Sequence, residues 1–257
     1  MNIRFGPAGL GPVKEAVRNL EIYHRLSLKA CEIAFTYGVY IKPEQTEEIR
    51  KKAQELDISL SIHAPYYVNL NSSEKVKIDA TKKRIIDCCR IGEMLGAKLV
   101  VFHPGFYGTS REKAFGNIRE GILDIMKEIE KNGWKIKIAA EVMGKINVFG
   151  SLEEIRRLVD ETGCSFCLDF AHILARHKTV EYNKIEKMFP EKEWHIHFSG
   201  IDYGEKGEKN HRMPSHEEWK NLLENLPKNK KITIISESPF PVEDSTEGLK
   251  IGKKILK

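Results

Sequence analysis

Short runs of apolar and β-branched residues alternate with longer amphipathic segments along the chain. The short runs have the length of buried strands, whereas the longer segments repeat apolar residues at helical spacing. The alternation occurs eight times, and glycines stand where several helical segments end. The predicted strands are Ile3–Gly6, Cys31–Phe35, Ser59–His63, Leu99–His103, Ile136–Glu141, Ser165–Asp169, Trp194–Ser199 and Ile232–Glu237. The predicted helices are Pro12–Arg25, Pro43–Leu56, Ser73–Leu95, Ser110–Asn132, Leu152–Thr162, Thr179–Phe189, Ser215–Leu226 and Val242–Leu256.

Eight strand–helix units in 257 residues predict an α/β fold, a single (β/α)8 TIM barrel in which residues 1–257 form one domain. The alternative is an open, doubly wound sheet, which usually carries a glycine-rich phosphate loop after its first strand. The segment FGPAGLG contains glycines but lacks the GxGxxG spacing, and its proline has no backbone donor. We therefore interpret it as the turn between the first strand and the first helix.

Composition and charge exclude some classes of protein and leave others open. Hydrophobic residues make up 41% and charged residues 31%, which excludes an intrinsically disordered chain. No apolar run is long enough for a transmembrane helix, and the N-terminus lacks an apolar signal segment, so we expect a cytoplasmic protein without a membrane partner. The net charge of +5 permits an acidic partner such as nucleic acid but does not require one.

The five cysteines do not indicate a disulfide framework, because their number is odd and no signal segment precedes them. Cys164 and Cys167 form a CxxC motif, but a zinc ribbon would need a second pair at similar spacing. Since Cys167 lies inside an apolar run, we expect it to be buried and reduced.

Residues that can bind metals recur where the predicted strands end. In (β/α)8 enzymes the chemistry takes place at the C-terminal ends of the strands, so these side chains would meet on one rim. Six consecutive strands, the third to the eighth, each carry such a residue, and one more histidine follows in the loop after the seventh strand. The candidates are His63, His103, Glu141, Asp169, His172, His197, Glu237 and His211.

Each candidate alone has a structural explanation; Asp169, for example, could cap the next helix. Gathered on one rim, however, these histidines and carboxylates would repel one another or remain unpaired without a cation. Imidazole and carboxylate suit zinc, and also manganese or iron. One ion needs fewer ligands, so we predict two or three ions that share a bridging carboxylate. His195 shares a face with His197 but lies deeper, as a supporting partner or a packed core residue.

The segments HAPYYVNL, FHPG, CLDFAH, HFSG with a later NH, and ESP follow consecutive strands. In this order and spacing the chain resembles endonuclease IV, the zinc-dependent apurinic/apyrimidinic endonuclease family of DNA repair, from the second strand to the eighth. The resemblance implies base excision repair on damaged double-stranded DNA. The implied reaction is hydrolysis of the phosphodiester 5′ to an abasic site by metal-activated hydroxide, leaving a 3′-hydroxyl. The implied cofactor is two or three zinc ions.

The resemblance also implies three metal sites that share ligands. The first would use His63, His103 and Glu141, and the second would use Glu141 as a bridge with Asp169, His197 and Glu237. The third would use His172, His211 and an aspartate two residues before His211.

The chain departs from the family at the third site, where Lys209 occupies the aspartate position and Glu208 is adjacent. Either Glu208 substitutes, or the third ion is held loosely, or the site is binuclear. The catalytic residues implied are Glu141, which would bridge the ions, and Glu237, which would orient the attacking water.

The resemblance extends to residues that would contact DNA. Tyr66 and Asn69 match positions that contact the lesion, although packing of the loop explains them equally well. The family's basic residue in the loop after the second strand is absent from FTYGVY, so Tyr37 or Tyr40 would stack on a base instead. Basic residues near the rim that could contact phosphates are Lys145, Lys209 and Arg212.

Two other functions remain open. A sugar isomerase or epimerase of the same barrel superfamily would use Glu141, Asp169, His197 and Glu237 to hold one ion, and would leave most of the other histidines without a role. A non-catalytic DNA-binding barrel that has lost the third metal would explain Lys209. No protein partner is evident.

Overall fold

The eight predicted strands form one parallel sheet in the computed structural model, which describes residues 2–255. The strands are β1 Asn2–Pro7, β2 Ala30–Ala34, β3 Ser59–His63, β4 Leu99–Phe102, β5 Lys137–Glu141, β6 Ser165–Asp169, β7 Glu193–Phe198, β8 Gly200–Gly204, β9 Gly207–Arg212 and β10 Lys231–Ser236. The sheet has the order β1-β10-β7-β6-β5-β4-β3-β2, and β8 pairs only with β9. The predicted (β/α)8 architecture is confirmed.

Helices follow the strands and surround the barrel. They are α1 Ala16–Arg25, α2 Pro43–Glu55, α3 Lys75–Leu95, α4 Arg111–Lys131, α5 Leu152–Thr162, α6 Phe170–His177, α7 Tyr182–Met188, α8 His216–Asn225 and α9 Pro241–Ile255. Serine side chains accept backbone N–H bonds at the starts of α4, α5 and α8, which satisfies donors that have no partner within the helix. At α5, Ser151 and Glu154 cap each other's backbone N–H.

The barrel closes where β1 meets β2. The amide of Lys29 donates to the carbonyl of Phe5 at 2.9 Å, and the amide of Gly9 donates to the carbonyl of Glu32 at 2.8 Å. The backbones approach so closely that a Cβ on Gly6 would lie 1.9 Å from the carbonyl oxygen of Ala30. Only glycine fits here, so the closure of the barrel explains why the FGPAGLG segment has glycine at position 6.

The two faces of the barrel strands have different chemistry. Alternate residues such as Ile138, Ile196 and Ile234 point outward and join the main apolar core beneath the helices. The inward face carries a small apolar cluster around Val101 and Cys167, together with buried polar side chains. The polar candidates therefore lie inside the barrel and at its C-terminal end.

Two segments differ from the sequence prediction. The segment after β6 forms α6, and the predicted helix Thr179–Phe189 is reduced to α7. The eight residues of α6 are too few to show a helical period, and they follow the strand directly. The segment after β7 forms the β8–β9 hairpin. The sequence predicts a loop there, because the mixed polar residues of this segment show no strand alternation.

All five cysteines are buried and free, as the sequence predicts for Cys167. Within residues 2–255, no helix is long and apolar enough to cross a membrane.

Candidate metal centre

The predicted rim residues converge at the C-terminal end of the barrel. They border or underlie a cavity of about 400 Å³, whose walls include His63, His103, His172, His211 and Glu237. His103 and Glu237 stand immediately after β4 and β10, and the other rim ligands on the barrel lie at strand ends or, for His172, in the first turn of α6.

Glu141 lies at the centre of the cluster and is fully buried. One carboxylate oxygen, Oε2, is 3.1 Å from Nε2 of His63 and 3.1 Å from Nε2 of His103. The other oxygen, Oε1, is 3.3 Å from Nδ1 of His197. The carboxylate therefore faces two groups of ligands at once, as a bridging ligand must.

Asp169, His197 and Glu237 form the second group with Glu141. Nδ1 of His197 is 3.3 Å from Oε1 of Glu237. Asp169 caps α6, since its Oδ1 accepts the amide of His172 at 2.7 Å, while its buried Oδ2 has no hydrogen-bond partner among the described residues. The capping role and an unpartnered oxygen directed at the cluster therefore coexist in one side chain.

His172, Glu208 and His211 form the third group. Nε2 of His172 lies 3.2 Å from Nε2 of His211 and 3.5 Å from Oε2 of Glu208. Of the alternatives at this position, the structure brings Glu208 to the histidines. The side chain of Lys209 instead lies over the backbone of Gly204.

A β-bulge explains why Glu208 faces the site. Residues three apart on a regular strand point to opposite faces, so Glu208 and His211 would be separated. Asp202 pairs with Asn210 but Tyr203 pairs with Glu208, which leaves Lys209 as an extra residue on β9. The extra residue reverses the alternation and puts both ligands on the face that packs against α6.

Backbone carbonyl groups anchor the far side of two histidine rings. Nδ1 of His63 donates to the carbonyl of Ala64 at 2.7 Å, and Nδ1 of His172 donates to the carbonyl of Val142 at 3.0 Å. In the neutral ring each bond leaves the lone pair on Nε2, which faces the cluster.

The charges of the cluster perturb its ionisation. Burial alone would raise the pKa of Glu141, but the charge of His103 and hydrogen bonds from neighbouring histidines hold that pKa well below its ordinary value. Burial also opposes ionisation of Glu237, yet the charge of His197 lowers its pKa to about 2. The pKa of Asp169 is raised, because burial and the charge of Glu141 outweigh His172.

The residues fit divalent metal ions. The ligand atoms within each of the three groups lie within 4.8 Å of one another. Oδ2 of Asp169 is buried without a hydrogen-bond partner among the described residues, so it needs a proton or a cation beside it. The Nε2 atoms of His172 and His211 face each other, so they need a proton or a cation between them. Mixed imidazole and carboxylate donors are typical ligands of zinc, manganese and iron.

Two of the predicted DNA-contacting residues stand at the cavity mouth. Tyr66 lines the cavity and is 54% exposed, and Tyr37 is 80% exposed, with ring centroids 6.0 Å apart in an edge-to-face arrangement. Large exposed aromatic side chains that cluster together often mark a binding surface on soluble proteins. Lys145 also lines the cavity.

Asn69 and Arg212 occupy other surroundings. Asn69 accepts the amides of Asn71 and Phe106 through Oδ1, so it braces two loops and does not line the cavity. Arg212 forms two hydrogen bonds to Glu218, at 2.9 and 2.6 Å, from the hairpin face opposite to His211. The structure therefore does not bring these two residues to the ligands.

Sequence reasoning missed Glu32, which lies in the middle of β2 and is fully buried. Its Oε2 is 2.8 Å from Nε2 of His195, the deeper histidine of β7. A single carboxylate inside the apolar run ACEIAF was the available signal, because an acidic side chain is rarely buried without a partner.

The sequence of the chain is similar to a known family and to individual proteins. Residues 20–255 match the model of the xylose isomerase-like TIM barrel family. An uncharacterized protein from Methanocaldococcus jannaschii is 33% identical over 255 residues, which cover 92% of each chain. A probable endonuclease 4 from Acholeplasma laidlawii is 33% identical over 146 residues, which cover 51% of this chain and 49% of that protein.

Solved structures agree with the fold. Endonuclease IV from Thermus thermophilus superposes with a TM-score of 0.76 at 18% identity, over 100% of this chain and 99% of that one. D-psicose 3-epimerase from Clostridium cellulolyticum superposes with a TM-score of 0.71 at 13% identity, over 100% of both chains. From its sequence match and its barrel, the chain belongs to the xylose isomerase-like TIM barrel family.

Proposed function

We propose that this protein is a metal-dependent phosphodiesterase that hydrolyses DNA on the 5′ side of abasic sites and leaves a 3′-hydroxyl. The observation that carries the proposal is the arrangement of the ligands in three groups. A one-metal enzyme of this family would need only the group of Glu141, Asp169, His197 and Glu237, whereas two further groups use His63, His103, His172 and His211. The partial match to a probable endonuclease 4 supports the same function.

Each group has a defined part in the proposed centre. His63, His103 and Glu141 would hold one ion. Asp169, His197 and Glu237 would hold a second together with Glu141, and His172, Glu208 and His211 would hold a third. Zinc is the metal that the donors favour, with manganese or iron as substitutes. When bound, such ions activate water at neutral pH and neutralise charge on phosphate oxygens.

The protein side chains orient the reaction around these ions. Glu141 keeps two ligand groups together because its two oxygens face different histidines. Glu237 lines the open cavity and lies within 4.8 Å of ligand atoms of both His63 and His197, so it would orient the attacking water. Its low pKa keeps the carboxylate ionised at neutral pH, so it can accept a hydrogen bond from that water.

The cavity mouth suits a damaged duplex. A nucleotide without a base is cheap to extrude, because no stacking is lost. Tyr66 and Tyr37 offer exposed rings to the neighbouring bases, and Lys145 offers a positive charge to a phosphate. These contacts would hold the extruded sugar over the ligand cluster.

The proposal is tested with a duplex that contains a single tetrahydrofuran lesion. We expect zinc-loaded protein to nick it 5′ to the lesion, and we expect a chelator to stop the reaction. Glu237→Gln should lower turnover by about 100-fold or more while DNA binding remains measurable. Glu224→Gln, on the exposed face of α8, is the matched control and should nick normally.

Absence of nicking at near-stoichiometric protein, with every divalent metal tried, would reject the nuclease function. Tight lesion binding under the same conditions would instead support a non-catalytic DNA-binding barrel.

A one-metal sugar epimerase or isomerase is the second candidate, because one four-residue group combines the donors that a single ion needs. In that enzyme Glu141 and Glu237 would exchange a proton beside a carbonyl group. Elemental analysis separates the two functions: one ion per chain favours the epimerase, and two or three ions favour phosphodiester hydrolysis. Assays of ketohexose epimerisation on the same preparation complete the comparison.

A further inference from the structure

A buried polar layer lies inside the barrel beneath the metal centre. The interior of such barrels is usually filled by bulky branched side chains. Here Glu32, Ser61 and His195 occupy it, with exposures of 0%, 4% and 6%. A buried carboxylate is costly unless charged or hydrogen-bonding partners surround it, so its neighbours indicate its role.

The two oxygens of Glu32 face different histidines. Oε1 lies 2.8 Å from Nε2 of His197, an ion-pair distance at which the two atoms are not aligned as a hydrogen bond, and neither atom has a hydrogen-bond partner among residues 2–255. Oε2 lies 2.8 Å from Nε2 of His195 and accepts the hydroxyl of Ser61 at 2.7 Å. His195 and Ser61 thus prevent the carboxylate from turning away from His197.

His197 stands between this layer and the ligand cluster. Its Nε2 faces Glu32, whereas its Nδ1 is 3.3 Å from carboxylate oxygens of Glu141 and Glu237. A histidine can bind a metal only through a nitrogen that carries no proton. Which nitrogen is free depends on the partner that holds the proton of the other.

We infer that Glu32 is a positioning residue that holds the proton of His197 on Nε2 and so leaves Nδ1 free as a metal ligand. The inference rests on the proposed metal centre but not on the substrate. A carboxylate accepts hydrogen bonds only, so it selects the Nε2–H form of the ring. An amide in its place could donate to Nε2, favour the opposite tautomer and block Nδ1.

Zinc affinity of metal-free protein, measured in competition with a chromophoric chelator, tests the inference. Glu32→Gln, which keeps the size of the side chain, should weaken the zinc site that uses His197 by about 10- to 100-fold. Sites built on His63 and His172 should change little. Glu32→Asp retains an acceptor and should recover part of the loss. Glu224→Gln, the same substitution on the exposed face of α8, is the matched control.

The protonation state of His197 provides a readout that a packing defect would not change in the same way. Nitrogen-15 spectra of the zinc-loaded wild type should show a histidine ligated through Nδ1 and protonated at Nε2. That signal should be lost in Glu32→Gln. Equal zinc affinity and an unchanged signal in this variant would overturn the inference, and so would an equal loss at all sites.

Two controls separate the possible failures. If the wild type binds no zinc at micromolar concentration, the proposed metal centre itself is rejected. If Glu32→Gln does not fold, His195→Gln replaces it, because this variant releases one carboxylate oxygen while Glu32 still faces His197. A partial loss of zinc affinity then supports the inference, and unchanged affinity overturns it.

Discussion

His63 and His172 retain their protons to higher pH than a free histidine in the metal-free protein, because carboxylates surround them. Burial by itself would lower their pKa values. The nearby carboxylate of Glu141 nevertheless raises the pKa of His63 to about 9, and Asp169 with Glu141 raises that of His172 to about 10. Metal binding must displace these protons, so metal affinity should weaken as pH falls.

The same shifts predict how the stability of the metal-free protein depends on pH. A histidine with a folded-state pKa above its unfolded value of about 6.5 stabilises the fold most at low pH. Its contribution is complete below about 6.5 and disappears as pH rises through 9 to 10 for His63 and His172. We therefore expect the urea midpoint of chelator-treated protein to decrease between pH 7 and pH 10.

His172→Gln should reduce that decrease, because it removes one titrating group, whereas His216→Gln on the exposed start of α8 should not. An increase in the midpoint of the wild type over this range would contradict the prediction. Zinc-loaded protein should show a smaller dependence, since the ions replace the protons.

At the scale of secondary structure, the β8–β9 hairpin decides which acidic residue can join the third ligand group. The position expected to carry an aspartate holds Lys209, yet the bulge at this residue puts Glu208 beside His172 and His211. Sequence spacing alone predicts that Glu208 and His211 point away from each other, because residues three apart on a regular strand lie on opposite faces. One inserted residue therefore changes the chemistry of the site.

Insertion of one residue into β8 between Asp202 and Tyr203 tests this role of the bulge, because Lys209 would then have a pairing partner and the hairpin would become regular. A regular hairpin would turn Glu208 to the other face, so we expect the third ion to bind about 100-fold more weakly or not at all. Lys209→Ala keeps the bulge and should retain every ion that the wild type binds. Elemental analysis and the melting temperature of both variants provide the measurements. Full metal content in the insertion variant would show that the bulge does not position Glu208.

For the whole molecule, closure of the barrel depends on a backbone contact between its first two strands. Gly6 allows β1 to approach Ala30 of β2, and the ligands on the rim rely on the closed ring for their common position. Because the clash would be with backbone, no side-chain rotation could relieve it.

Gly6→Ala should therefore destabilise the fold by about 3 kcal/mol or more, as overpacking a rigid contact does. Gly116→Ala is the matched control, since its Cβ would meet nothing within 4 Å on α4. That change should stabilise the helix by about 0.5–1 kcal/mol. Urea unfolding of both variants measures the difference, and equal stability would mean that the strands can separate without cost.

Much of the molecule follows from local pattern. The strand and helix alternation predicts the barrel, because apolar periodicity determines which face each element buries. The rule that parallel strands end on one rim then predicts that His63, His103, Glu141 and Asp169 lie near one another. The short helix α6 escapes prediction because eight residues contain barely two turns.

Contacts between distant segments were decided only by the tertiary structure. The sequence places Glu32 and His195 163 positions apart, and no local pattern connects them. Closure of the barrel makes β2 and β7 face each other across its interior, which pairs the carboxylate with two histidines. Likewise, only strand pairing reveals the bulge that turns Glu208 toward His172. The sequence by itself determined the fold and the residue types of the rim. The fold alone decided which side chains support them, because those pairings depend on three-dimensional register.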